Sequence, residues 1–374
     1  MRISVRVWRA ARLKRLGVRT YWKTLATNNK AVPGVSYVMP VLNERDYVED
    51  AVRTVLSQEY PGEQQLVLAL GPSTDGTTEL VEKLAAEDAR ISFVHNPGTD
   101  IPVGLNLAIA STNLPIVVRV DAHSELAAGY TQLAIDTLER TGAANVGGVM
   151  VANGKTPFQL AVARAYNSRF GLGGASYHSG GKEGPAESAY LGVFRREILA
   201  EVGGYDETLR RGEDWELNYR IRSAGHTVWF NPSLKVTYWP RENWRKLSRQ
   251  FFTTGVWRGA LTRRLPRHTP LRFFAPPLLV LAFLASIIGG SLQIAGVIHW
   301  GKLSYLVFAV HTGLVAYILL LIYLGLIYEN GKSWRDRWLF ILVLPTMHLC
   351  WGAGFIRGLL FGGGNIMDTS RTDL

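Results

Sequence analysis

The chain has 374 residues, 47% of them hydrophobic, and a net charge of +11; this suits one large domain with something added, and is apolar-rich for a purely soluble enzyme. A single cysteine, Cys350, excludes an internal disulfide framework and a cysteine-based zinc site. The basic excess lies in two clusters interleaved with Trp, Phe and Leu: nine Lys/Arg without an acid in residues 1–30, and nine against Glu242 in residues 241–272. That placement points to anionic lipid headgroups, not nucleic acid, as the partner.

In residues 1–30, Trp8, Leu13, Leu16, Tyr21, Trp22 and Leu25 among basic side chains predict a helix or two in the membrane interface, with a disordered basic arm as the alternative. The N-terminal charges precede no 7–15-residue apolar core, so no cleavable signal peptide is expected and the body should stay in the cytoplasm. The body occupies residues 31–240 and opens with a strand over 35–40 that Pro40 ends, then Asn43-Glu44 and a helix through Val48, Val52, Val55 and Leu56. A second strand, 65–70, runs into Gly71-Pro72-Ser73-Thr74-Asp75-Gly76-Thr77 and another helix. Residues 91–94 and 115–120 read as a third and a fourth strand. Strands and helices alternating in this way predict a mostly parallel α/β sheet with right-handed crossovers. Ligands of such sheets sit beyond the carboxyl ends of the strands, where Asn43, Ser73 to Asp75 and Asp121 fall.

The fourth strand stops at Asp121-Ala122-His123. A strand-end carboxylate with a second donor two residues on can grip a hard divalent cation, with open positions left for water and a diphosphate. By themselves these residues fit equally a turn cap and a surface histidine. Further on, Glu213-Asp214 opens a helix whose Leu217, Ile221 and Ala224 form an apolar stripe, and acids there also complement the helix dipole.

Taken in order, these motifs resemble family 2 inverting glycosyltransferases of the nucleotide-binding GT-A fold, over residues 35 to about 258. The resemblance rests on Pro40, Asn43 and Glu44; on Ser73-Thr74-Asp75-Gly76-Thr77; on Asp121-Ala122-His123, with His for the second Asp of the family's Asp-x-Asp; and on Gly203-Gly204-Tyr205-Asp206-Glu207 followed by Glu213-Asp214. The Asp-x-His variant, Phe194-Arg195-Arg196 and the apolar tail most resemble the subgroup with the succinoglycan-type exopolysaccharide glucosyltransferases. The resemblance implies a nucleotide-diphosphate sugar held at Pro40, Asn43, Glu44, Ser73, Asp75, Arg119 and Asp121. It implies Mg²⁺ or Mn²⁺ on Asp121 and His123, and Asp214 as general base. The acceptor side is expected at Glu213, His178, Gln250, Trp257 and Arg258. One departure is informative: the family's aspartate at the end of the second strand is replaced by Leu70-Gly71-Pro72. That leaves a UDP-sugar, favoured by analogy, and a GDP-sugar both open.

Residues 250–258 are placed like the Gln-x-x-Arg-Trp element of processive relatives without its spacing, which argues against a polymer-extruding synthase; an interface helix fits as well. Residues 241–274 are expected to form amphipathic basic interface helices, and 275–374 a membrane domain with spans near 275–298, 303–328 and 338–361. The basic residues flanking them place the body on the cytoplasmic side of the inner (plasma) membrane. Three crossings put the C-terminus outside, whereas a re-entrant course for 338–361, which holds several glycines and Arg357, does not. The expected activity is transfer of a sugar to a hydroxyl of a lipid-linked, polyprenyl-type acceptor in exopolysaccharide or cell-envelope glycan synthesis. The alternatives are a polyprenyl-phosphate glycosyl synthase and a non-catalytic membrane scaffold. The active-site motifs all precede the tail, so the body is expected to bind nucleotide after deletion of 275–374.

Overall fold

The computed structural model describes residues 32–173, 180–297, 301–329, 331–364 and 366. The interfacial reading of residues 1–30 and the acceptor-side reading of His178 lie outside the described residues. Among the described residues nine strands form one sheet in the order β3-β2-β1-β4-β8-β6-β9-β5, with β7 (Gly184–Pro185) beside β9. β1 (Val35–Val41), β2 (Gln64–Leu70), β3 (Ile91–His95) and β4 (Ile116–Arg119) are parallel. β8 (Tyr190–Arg195) runs antiparallel between β4 and β6 (Asn145–Ala152), so β6 and its parallel neighbour β9 (Val228–Tyr238) point the same way as the first four. β5 (Ser124–Leu126) pairs antiparallel with β9. The sheet is therefore mostly parallel. Pro40 lies inside β1, opposite Ala69, and the strand continues to Val41.

Strands of this kind are apolar throughout because helices cover both faces. One face receives α1 (Val48–Leu56) and α4 (Tyr130–Thr141), whose Val48, Val52, Val55, Ala134 and Leu138 join Tyr37, Met39, Leu66, Leu68 and Val118 in one core. A second core is built on Val38, Val67 and Val117, with α3 (Ile101–Ala110), α6 (Arg196–Val202) and α7 (Glu213–Ser223) supplying Leu105, Leu199, Leu217 and Ile221. α2 (Thr77–Glu87) follows β2, and α5 (Pro157–Tyr166) follows β6.

Past the sheet, α8 (Trp244–Arg264) leads through 3-10 turns at Pro266–His268 and Leu271–Phe274 into α9 (Ala275–Ile294), α10 (Lys302–Tyr323) and α11 (Trp334–Phe361). By length and hydropathy Leu271–Ile294, Ser304–Ile327 and Trp334–Phe361 are each able to cross a membrane.

Candidate active site

A cleft of about 430 Å³ opens at the carboxyl ends of β1 and β4. Pro40, Glu44, Arg119, Asp121, His123, Glu213, Asp214, Gln250 and Arg258 line it, each of them a residue singled out by the sequence.

Its centre is Arg119, the last residue of β4, with a side chain only 5% exposed. Nε donates to Asp121 Oδ1 at 3.1 Å, and Nη1 to Glu213 Oε1 at 3.1 Å and to Asp214 Oδ1. Burial alone would lower the guanidinium's pKa, but the fields of Asp121, Asp214 and Glu213 outweigh it and hold Arg119 well above its ordinary value. Asp214 responds in the opposite direction. Burial, reinforced by Glu213 and Asp121 and opposed by Arg119, pushes its carboxyl up to about 7, although the side chain keeps 31% of its surface exposed toward the cleft.

The two acids reach this point because the chain before α7 is turned twice. Gly203 and Gly204 adopt φ of +81° and +69°, values natural to glycine. The Asn106 amide then clamps the backbone of Tyr205, accepting from its N–H and donating to its C=O at 2.9 Å each. Tyr205 is thereby seated under Arg119, whose guanidinium lies 5.9 Å from the ring centroid. Arg220 of α7 donates to the Gly204 carbonyl at 2.7 Å and ties the helix to the same turn.

His123 is oriented from two sides. Its Nδ1 is 2.9 Å from Glu44 Oε1, and its ring meets Tyr238 edge-on at 5.4 Å. A carboxylate on one ring nitrogen fixes an imidazole to present the other to a cation. Among the described residues no group of three or more His, Cys, Asp or Glu is arranged to hold a metal ion by itself. Asp121 and His123 thus fit an ion that is completed by a ligand's oxygens, not one caged by protein alone.

Asn43, Ser73 and Asp75 stand beside the cleft and tie its two loops together. The Asn43 N–H donates to Ser73 Oγ at 3.0 Å, and its Oδ1 accepts from the Thr74 N–H at 2.8 Å. Asp75 accepts from the N–H groups of Arg45 and Thr77 at 3.2 and 3.0 Å, and the Glu44 N–H donates to Thr77 Oγ1 at 3.0 Å. The effect is to lock the β1–α1 loop, and with it Glu44, to the β2–α2 loop. Burial works to raise the Asp75 pKa, yet hydrogen bonds from the Thr77 hydroxyl and from the Arg45 and Thr77 N–H groups hold it below its ordinary value.

On the opposite wall Gln250 donates to Tyr238 OH and accepts from Tyr166 OH, both at 3.0 Å. The Arg258 guanidinium is sandwiched 4.9 Å from Trp215 and 4.5 Å from Phe273. Trp257 faces away, packing with Leu209 and Leu261 and donating to the Ile366 carbonyl at 3.1 Å. Sequence reasoning missed Arg210, Arg211, Arg241, Tyr238 and Trp351, which also line the cleft. Arg241, counted in the sequence among lipid-facing charges, is 5% exposed. A signal existed for two of them: only Gly212 separates Arg210-Arg211 from the acidic pair at the start of α7, a place where cations are unfavourable to the helix dipole.

Residues 36–203 match the model of the family described as "Glycosyl transferase family 2". Over 325 residues the chain is 31% identical to the succinoglycan biosynthesis protein ExoA of Rhizobium meliloti (strain 1021), a match covering 86% of this chain and 94% of that one. It is 22% identical to a dolichyl N-acetyl-α-D-glucosaminyl phosphate 3-β-D-2,3-diacetamido-2,3-dideoxy-β-D-glucuronosyltransferase of Methanococcus voltae, over 62% of this chain and 74% of the other. Among solved structures, the mannosyltransferase PcManGT of Pyrobaculum calidifontis, in complex with GDP-Man and Mn²⁺, shares the fold at a TM-score of 0.54 and 17% identity, over 91% of this chain and 94% of that one.

Proposed function

The chain belongs to glycosyltransferase family 2, and from that premise we propose that it transfers a sugar, with inversion, from a nucleotide-diphosphate donor to a hydroxyl of a lipid-linked glycan acceptor at the cytoplasmic face of the membrane. The observation that carries this reading is the Arg119 hub: one buried cation holding Asp121 on the donor side and the Glu213-Asp214 pair opposite.

Asp121 and His123 would hold Mg²⁺ or Mn²⁺, and Glu44 keeps the imidazole turned for it. Such an ion supplies charge stabilisation to the departing diphosphate. The chain's own contribution is positional and protonic. Asp214, with a carboxyl poised near neutrality, accepts the proton of the incoming hydroxyl as that oxygen attacks the anomeric carbon. Arg119 prevents the three carboxylates from repelling one another and fixes where Asp214 Oδ1 lies. Asn43, Ser73 and Asp75 act on the donor through the loops they lock. Arg258 and Gln250 face the acceptor side. Glycan biosynthesis in exopolysaccharide or envelope assembly is the setting the ExoA relative supports, and a uridine nucleotide is the first donor to try.

The experiment is a panel of nucleotide sugars with the purified full chain, following release of nucleoside diphosphate with Mg²⁺, Mn²⁺ or excess chelator. Slow hydrolysis of one donor, abolished by chelator, is expected. Undiminished turnover in chelator contradicts the metal assignment.

A further inference from the structure

Hydropathy treats the last three apolar helices alike, but their packing separates them. Of their most apolar stretches, 6% of the first and 17% of the second are buried in protein, against 44% of the third. α11 has 28 residues and is about 40 Å long at helical rise, enough to carry its far end well clear of a soluble domain if it crossed a bilayer. Instead it touches that domain along its entire length. Near its start the Asp336 carbonyl accepts from Arg164 at 3.2 Å; at mid-helix His348 Nε2 lies 2.8 Å from the Phe170 carbonyl; one turn on, Trp351 lines the active-site cleft; at its end the Leu360 carbonyl accepts from Arg263 at 3.1 Å.

The closest of these contacts is with α8, along two reciprocal G-x-x-x-G pairs. A Cβ at Gly255 or Gly259 would collide with the backbone at Trp351 or Phe355, and one at Gly354 or Gly358 with that at Phe252 or Val256. α8 bears Arg245, Lys246, Arg249, Arg258, Arg263 and Arg264 from one end to the other. A helix bound to it over this length cannot enter hydrocarbon without taking those charges along.

α9 and α10 behave differently. α9 departs beside an Arg272–Glu187 ion pair at 2.6 Å, and the chain returns from α10 to an ion pair between Glu329 and Arg164 of the catalytic domain. They form a hairpin whose two ends are both fixed to the domain. At its two ends α11 carries exposed Trp334, Trp338, Leu342, Leu360 and Phe361, aromatic and aliphatic groups suited to the headgroup boundary of a lipid surface.

We propose that α11 does not cross the membrane but lies in its interface beneath the catalytic domain as one wall of the active-site cleft, so that among the described residues only α9 and α10 cross the bilayer. Both ends of α11 then share the catalytic domain's side, and the cleft meets the leaflet surface at Trp351. This deepens the proposed function by fixing the direction from which a lipid-linked acceptor arrives. Its test reads no sugar transfer, so the two readings fail separately.

In a Cys350→Ser background, single cysteines introduced by Lys83→Cys, whose side chain is 72% exposed on the catalytic domain, and by Phe361→Cys are treated with a membrane-impermeant maleimide in sealed vesicles of each orientation. Both are expected to react from the same face. Reaction of Phe361→Cys from the opposite face, or from neither face until detergent is added, overturns the proposal. A C-terminal fusion of the unaltered chain to a phosphatase active only outside the cytoplasm gives a second reading: silence is expected if the catalytic domain is cytoplasmic, and activity alongside a cytoplasmic Lys83→Cys label overturns it.

Discussion

Asp75, expected from the sequence to hold the donor, has a structural part of its own. Its carboxylate closes the β2–α2 loop on the β1–α1 loop that carries Glu44, and Glu44 in turn orients His123. Asp75→Asn is expected to raise the donor KM several-fold with a smaller effect on kcat, and to cost at most about 1.5 kcal/mol of stability, the low end for hydrogen bonds to a charged group because solvent screens this loop. Because the folded-state pKa of Asp75 is depressed, that stability is present above the unfolded carboxylate pKa and fades as pH falls through the folded value. Chemical denaturation of variant and parent at neutral and acidic pH checks it, and an equal difference at both pH values contradicts it. Asp214 has the opposite sign. Its carboxyl is raised to about 7, so sugar transfer at saturating substrate should fall as pH drops through neutrality and the base becomes protonated. The Glu44, Asp121, His123 and Asp214 positions were legible because strand ends and helix starts announce themselves in sequence, whereas Arg119 and Pro40, which lies inside β1, entered through the resemblance. The locking role of Asp75 was not, since it depends on which loop lies beside which.

The elements show where periodicity stops being informative. β1 to β4 could be read because buried parallel strands are short apolar runs between turns. α3, apolar and with Pro102 in its first turn, has no stripe that separates it from a strand. α11 shows a related limit: apolar residues that face lipid and apolar residues that face α8 and α5 look identical in a hydropathy window. The glycines were the available clue, as Gly255-x-x-x-Gly259 and Gly354-x-x-x-Gly358 bring two backbones together. Gly259→Leu is therefore expected to lower the thermal midpoint on the order of 5 °C or more through overpacking. Gly313→Ala on α10, where a Cβ meets nothing within 4 Å, should leave it unchanged or raise it. Equal midpoints for the two variants would show that the α8–α11 contact contributes nothing.

For the whole molecule, the packing of α11 reverses the expectation that the body survives deletion of residues 275–374. Phe340, Val343, Leu344 and Met347 are part of one core with Val162 and Tyr166 of α5 and with Leu247 and Phe251 of α8. Removing them exposes that core and a cleft wall, so the truncated body is expected to aggregate; a monodisperse, nucleotide-binding truncation would contradict this. The proposed function divides the reaction across Arg119, with donor and metal assigned to Asp121 and His123, and proton removal to Asp214. The measurement that tests this division most directly compares Asp214→Asn with Asp121→Asn for both donor binding and sugar transfer. Asp214→Asn should bind donor and metal as the parent does while transfer falls about 10²–10⁴-fold, and Asp121→Asn should weaken metal-dependent donor binding itself. Transfer by Asp214→Asn to a hydroxyl acceptor at near the parent rate would contradict the assignment and leave the residue as a helix cap.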